Sequence, residues 1–139
     1  FSKDKDSKSW IKLTGSQATT NVADQINDKD SIFSHYKKMI DLRQNGKYSD
    51  CLTFGDFISI LLENEKIIAY VRKYKNQKVL CISNFSELKQ EVKLSEIAKV
   101  LGEKEIKIGE ILINNFDGFE NNGEKVVFEG FQSLLVEIL

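Results

Sequence analysis

The amino-acid sequence predicts a mainly β protein, an antiparallel β-sandwich preceded by an N-terminal arm and one long α-helix. Three observations lead there. The apolar period changes from helical to strand-like after Gly46, several short strand-like runs follow without repeating helices, and polar turn residues separate those runs. The 139 residues include no proline, so the turns rely on Asn, Asp and Gly.

Up to about Thr20 the chain is polar and unpatterned, apart from Trp10-Ile-Lys-Leu13, a short alternating piece suited to an edge strand or an anchor for the arm. Asn21-Val-Ala-Asp-Gln-Ile26 offers a capping Asn and a turn or two of helix. The long helix follows, from Ser31 towards Gly46. Asp30 and Ser31 supply oxygens for its orphan amides, and Gly46 can take the left-handed turn past its end. Leu42, His35, Met39, Ile32, Arg43, Tyr36, Ile40 and Phe33 share an arc about half the helix circumference wide. A helix on a small sheet needs a stripe of roughly 100°, so this face is patterned for burial against two bodies.

Beyond the helix, Leu52 to Leu62, Ile67 to Tyr74 and Lys78 to Phe85 predict a meander of two hairpins. Gln90-Glu-Val-Lys-Leu94 alternates as a half-buried strand should, and Ser95 to Leu101 reads as a short capped helix closed by Gly102. Ile106 to Asn114, Glu124 to Phe128 and Ser133 to Leu139 complete the strands, with turns at Asp117-Gly118 and Asn122-Gly123. The expected division is 1–46, arm and helix, and 47–139, the β-sandwich. No Gly/Ser-rich linker separates them, so the two are expected to pack together.

Composition removes several function classes. With 41% hydrophobic and 29% charged residues the chain is ordinary for a globular domain, and nothing speaks for disorder. Twenty basic against 21 acidic residues give no electrostatic reason to expect nucleic acid or an anionic membrane. No apolar run approaches the ~20 residues of a membrane helix, and no signal peptide opens the chain. Cys51 and Cys81 are too few for a disulfide framework and are expected as reduced thiols in a cytoplasmic protein. The start at Phe1, without Met and in polar sequence, is expected of a cut or processed product.

The motifs Asn21-Val-Ala-Asp-Gln25, Asp28 to Arg43, Phe54-Gly-Asp-Phe57, Ile68-Ala-Tyr-Val-Arg72, Ser83-Asn-Phe-Ser86 and Leu112-Ile-Asn-Asn-Phe-Asp117 occur in that order. Together they resemble the C-terminal part of alpha-amylase-family enzymes (glycoside hydrolase family 13), in particular the oligo-1,6-glucosidase, dextran glucosidase and trehalose-6-phosphate hydrolase group. The resemblance implies that the helix is the last of a (β/α)8 barrel and that the strands form the C-terminal Greek-key β-sandwich packed on it. It places the catalytic carboxylates on barrel strands before the matched region. The sequence departs from the family at four prolines: Lys8-Ser-Trp10, Gly15-Ser-Gln-Ala18, Asp28-Lys-Asp-Ser31 and Glu129-Gly-Phe-Gln132 stand where the family commonly has one. None of these would supply a ladder hydrogen bond, so the frame is expected to survive their loss.

Within the chain itself no catalytic, substrate-binding or metal residue and no cofactor is expected. Retaining hydrolysis needs two carboxylates about 5 Å apart. Asp50 and Asp56 flank the first strand without a cleft and read as solvated turn carboxylates. His35, at the edge of the helix arc, reads as a packing or interface residue, and no Cys or second His stands at ligand spacing. Cys81 lacks a nearby base and reads as a buried thiol. Arg43, mid-arc among apolar side chains, is expected to pair with a carboxylate or carbonyl. Asn114 to Gly123 is rich in oxygen ligands but lacks calcium-loop spacing, so a turn is expected. Asn84-Phe-Ser86 matches the glycosylation pattern by chance. Trp10, Tyr48, Phe54 and Phe57 are expected to close the seam between helix and sheet, the alternative being a sugar-stacking platform.

Two functions follow as expectations. One is a non-catalytic C-terminal fragment of an alpha-glucosidase-like hydrolase, stabilising the catalytic barrel and exposing an apolar helix face through which copies could self-associate. The other is a stand-alone β-sandwich module that binds carbohydrate or protein.

Overall fold

The computed structural model describes residues 10–12 and 15–139, so most of the predicted arm, including Leu13, lies outside the described residues. The chain divides into two compact units, Phe1–Gln44 and Asn45–Leu139.

In the first unit a 3-10 turn at Ser16–Ala18 precedes α1 (Val22–Gln25) and α2 (Ile32–Asn45). Trp10, Ile11 and Lys12 form no strand, against the expectation of an edge strand. Asn21 caps α1 as predicted, its Oδ1 accepting from the Asp24 amide at 3.0 Å. Ser31 caps α2, with its Oγ accepting from the Ser34 amide at 3.2 Å, while Gln25 Oε1 accepts a second first-turn amide, that of Phe33, at 3.1 Å. The other end differs from prediction. Gly46 is not left-handed; its carbonyl accepts from the Ser49 amide at 2.9 Å and the chain turns into another helix. No α2 residue is buried, and Ile32, Tyr36, Met39 and Ile40 are exposed. Arg43 is exposed too, which removes the desolvation cost that its position among apolar residues implied.

The second unit is the sandwich. It opens with α3 (Ser49–Phe54), where the sequence had suggested the start of a strand, and β1 occupies only Asp56–Ile60. Strands β2 (Ile67–Tyr74), β3 (Gln77–Asn84), β4 (Gln90–Lys93), β5 (Ile108–Asn114), β7 (Lys125–Phe128) and β8 (Ser133–Ile138) fall where the alternating runs predicted them. A two-residue β6 (Glu120–Asn121) was not foreseen. Helix α4 (Leu94–Leu101) ends at Gly102, left-handed at φ 70°, as predicted. Its start shifts by one residue because the Leu94 amide is taken by the Glu124 carbonyl at 2.9 Å and no side chain caps it.

All pairings are antiparallel. One sheet runs β1-β2-β3-β8-β5 and the other β4-β7-β6. Alternate residues of the larger sheet (Ile60; Ala69 and Val71; Leu80 and Ile82; Leu134, Val136 and Ile138) bury themselves in one cluster with Val92, Val126 and Phe128 of the smaller sheet and with Ile97 and Ala98 of α4.

Candidate functional surface

A sheet with one face in the core and the other in water should alternate apolar with polar residues. The larger sheet does not. Its register puts Phe57 beside Arg72, Tyr70 beside Cys81, Ile68 beside Ser83 and Cys81 beside Leu135, all on the face turned away from the core. Phe57 and Ile68 are 59% and 58% exposed, Phe54 at the end of α3 is 72% exposed, and Tyr70, Cys81 and Leu135 are half-buried. Phe57 and Tyr70 stack, with ring centroids 4.7 Å apart. A row of apolar groups on an outer sheet face is a surface shaped to be covered.

At one end α3 covers this face already. The Arg72 guanidinium donates to the Cys51 and Thr53 carbonyls at 3.5 and 3.2 Å, and the buried Cys51 thiol lies 3.2 Å from the Arg72 carbonyl. Burial pushes the Cys51 thiol above its usual range, and burial does the same to Cys81, so neither is poised as a thiolate. Just before α3, Tyr48 is buried, its hydroxyl 2.9 Å from Lys47 Nζ and 3.3 Å from Glu110 Oε2. Glu137 completes the group, 3.6 Å from Lys47. The Tyr48 hydroxyl, the Glu110 amide and the Lys47 charge hold the Glu137 carboxyl below the ordinary range; burial raises the Tyr48 hydroxyl, and its hydrogen bond to Tyr48 raises Lys47.

The residues singled out from sequence lie apart. Asp50, on the first turn of α3, and Asp56, which opens β1, are both exposed. His35 is half-buried on α2, and Cys81 is half-buried rather than buried. Among the described residues no three His, Cys, Asp or Glu groups gather as a metal would need. Of the four aromatics assigned to a seam only Tyr48 is buried; Trp10, Phe54 and Phe57 are exposed.

The oxygen-rich loop after β5 is a turn held by amides. Gln132, fully buried, donates through Nε2 to Asn114 Oδ1 at 3.1 Å and the Gly118 carbonyl at 2.7 Å, and accepts from the Glu129 amide at 2.9 Å. Asn84, also buried, donates both its Nδ2 hydrogens, to the Leu88 and Glu129 carbonyls at 2.8 Å each. A glycan on Asn84 would have to break that arrangement.

Known proteins share this architecture. A family described as "Alpha-amylase SusG C-terminal domain" matches residues 67–135, from β2 into β8. The chain is 31% identical over 135 residues to the oligo-1,6-glucosidase of Bacillus cereus, an alignment covering 93% of this chain and 22% of that protein. The chain belongs to the C-terminal part of the alpha-amylase family. Trehalose-6-phosphate hydrolase of Bacillus subtilis (strain 168) is 36% identical over 76 residues, 55% of this chain and 13% of that protein. The crystal structure of Bacillus licheniformis trehalose-6-phosphate hydrolase matches 93% of this chain with 22% of its own, at a TM-score of 0.75 and 29% identity. Trehalulose synthase from Pseudomonas mesoacidophila MX-45 gives a TM-score of 0.78 over 95% of this chain and 22% of its own, at 22% identity, and so shares the fold. This alpha-amylase-family chain spans about a fifth of the length of such relatives.

The outer apolar face went unnoticed in the sequence, although a signal was present. Ile67-Ile-Ala-Tyr-Val71 and Val79-Leu-Cys-Ile82 are continuous apolar runs, and in an antiparallel sheet such runs mark strands apolar on both faces.

Proposed function

We propose that the chain is the non-catalytic C-terminal portion of an alpha-glucosidase-type glycoside hydrolase of carbohydrate metabolism, stabilising a (β/α)8 barrel that performs the chemistry. On this reading residues 1–46 supply the arm and the last barrel-type helix, and 47–139 supply the β-domain. The single observation that carries it is the outer face of the larger sheet, where Phe57 and Ile68 stay exposed on a face apolar enough for a core. A barrel of the parent chain is the partner of that face and of the exposed apolar residues of α2. The two free cysteines support a cytoplasmic setting.

The test has two arms. The purified chain is expected to release no product from an alpha-glucoside, and the coding sequence upstream of the Phe1 codon is expected to encode a barrel with its three carboxylates. Cleavage by the chain unaided would overturn the proposal. The Phe57–Tyr70 stack favours a second reading, a sugar-binding module. Calorimetry separates the two: the first predicts no heat with maltose, isomaltose or trehalose 6-phosphate, whereas the second requires saturable binding of one of them.

A further inference from the structure

Each sheet of the sandwich has two edges, and an unguarded edge strand is a template for another strand. Three of the four are guarded. Strand β5 carries two register shifts, between Ile108 and Ile111 and between Ile111 and Ile113. Strand β6 has only two residues, Glu120 and Asn121. Strand β4 is four residues long, carries Glu91 and Lys93, and runs directly into α4.

Strand β1 is five residues long and carries no register shift. Asp56-Phe-Ile-Ser-Ile60 pairs with β2 residue for residue without a bulge, contains no Lys, Pro or Gly, and has no second strand beside it among the described residues. Phe57 and Ser59 are exposed and Ile58 is half-buried. Its one charge, Asp56, stands at the first position, where it leaves the rest of the strand open.

We infer that β1 is a self-association edge: a second copy of this chain pairs its own β1 antiparallel to the first, joining two five-stranded sheets across a two-fold axis. The sequence of the strand selects the register. Antiparallel partners on one face must have the same parity, so the axis can fall on Phe57, Ile58 or Ser59. An axis on Phe57 sets Asp56 opposite Ile58, and an axis on Ile58 sets Asp56 opposite Ile60; both put a carboxylate into an apolar row. With the axis on Ser59, Ile58 of each copy lies opposite Ile60 of the other, the two Ser59 residues meet at the axis, and Asp56 falls beyond the paired strand. A two-fold contact of this kind closes on itself and gives a dimer, not a filament.

Sedimentation equilibrium of the purified chain over a range of concentrations is expected to show a reversible monomer–dimer equilibrium. Ser59→Lys places two like charges at the axis and is expected to weaken dimerisation by about tenfold or more. Ser59→Val, which extends the apolar β-branched row, is expected to tighten it, while Met39→Lys on the exposed face of α2 leaves it unchanged. Far-UV circular dichroism of each variant checks the fold. A chain that stays monomeric, or a dimer indifferent to Ser59→Lys, overturns the inference. Either result leaves the proposed role beside a barrel untouched, because β1 contributes its edge here and not its face.

Discussion

At the scale of single residues the sandwich depends on a few polar groups that hydropathy alone would place outside. Asn84 and Gln132 are 2% and 0% exposed, yet each bonds through both ends of its amide and so joins the loops after β3, β5 and β7. Their burial was not legible in the sequence, because partners such as the Glu129 carbonyl for Asn84 and the Asn114 and Gly118 oxygens for Gln132 are distant along the chain. Gln132→Leu keeps the volume and strands the Glu129 amide and the Asn114 and Gly118 acceptors. It is expected to destabilise by about 2–4 kcal/mol in urea melts. The Tyr48–Glu137–Lys47 group makes stability depend on pH with a definite sign. Glu137 has its folded-state pKa lowered, so its contribution is complete above the unfolded value and disappears as pH falls through the folded one. Tyr48 and Lys47 are raised, so theirs is complete below their unfolded values and lost as pH rises through the folded ones. Stability is therefore expected to fall below about pH 4 and above about pH 10, and Glu137→Gln is expected to flatten the acid limb and to weaken the alkaline one as well, because Glu137 helps to raise both Tyr48 and Lys47. These are surface pairs, with Lys47 and Glu110 side chains 64% and 58% exposed, so the effect should be small and sensitive to salt.

At the scale of elements, the strands were legible because alternation repeats over several residues, whereas the junctions were not. Leu52 to Phe54 read as strand by composition, but the last turn of α3 passes so close to β2 that only Gly55 fits. A Cβ there would press on the Cys51 carbonyl and lie 2.9 Å from the Lys73 oxygen. The β2–β3 hairpin shows the converse, a turn whose position was legible and whose strain was not. Lys75 sits at φ 52°, a left-handed value that costs a side chain roughly 1–2 kcal/mol. Lys75→Gly relieves it at the expense of unfolded-state entropy and is expected to raise the midpoint of denaturation by an amount worth about 0.5–1 kcal/mol, with unchanged m-value. A lower midpoint would mean that the Lys75 ammonium, 4.9 Å from the Tyr74 ring centroid, stabilises the turn more than its backbone strains it.

At the scale of the whole molecule, the exposed apolar surface among the described residues includes the outer face of the larger sheet and α2. A dye that fluoresces on apolar protein surface is expected to bind the native chain, and Ile68→Ser together with Phe57→Ser to reduce the signal without lowering stability by more than about 1 kcal/mol. An unchanged signal would show that the sheet face is not the dye's site. The sequence by itself determined the order of the strands other than β6 and of the helices other than α3, the caps at Asn21, Ser31 and Gly102, and the kinship with the C-terminal part of the alpha-amylase family, because local period, capping chemistry and motif order are all written along the chain. Only the tertiary structure decided which apolar residues enter the core and which remain on the outer face, that Asn84 and Gln132 are buried, and that β1 stands at an edge of the larger sheet. Those properties depend on which strands lie side by side, and pairing between residues far apart in sequence leaves no local mark.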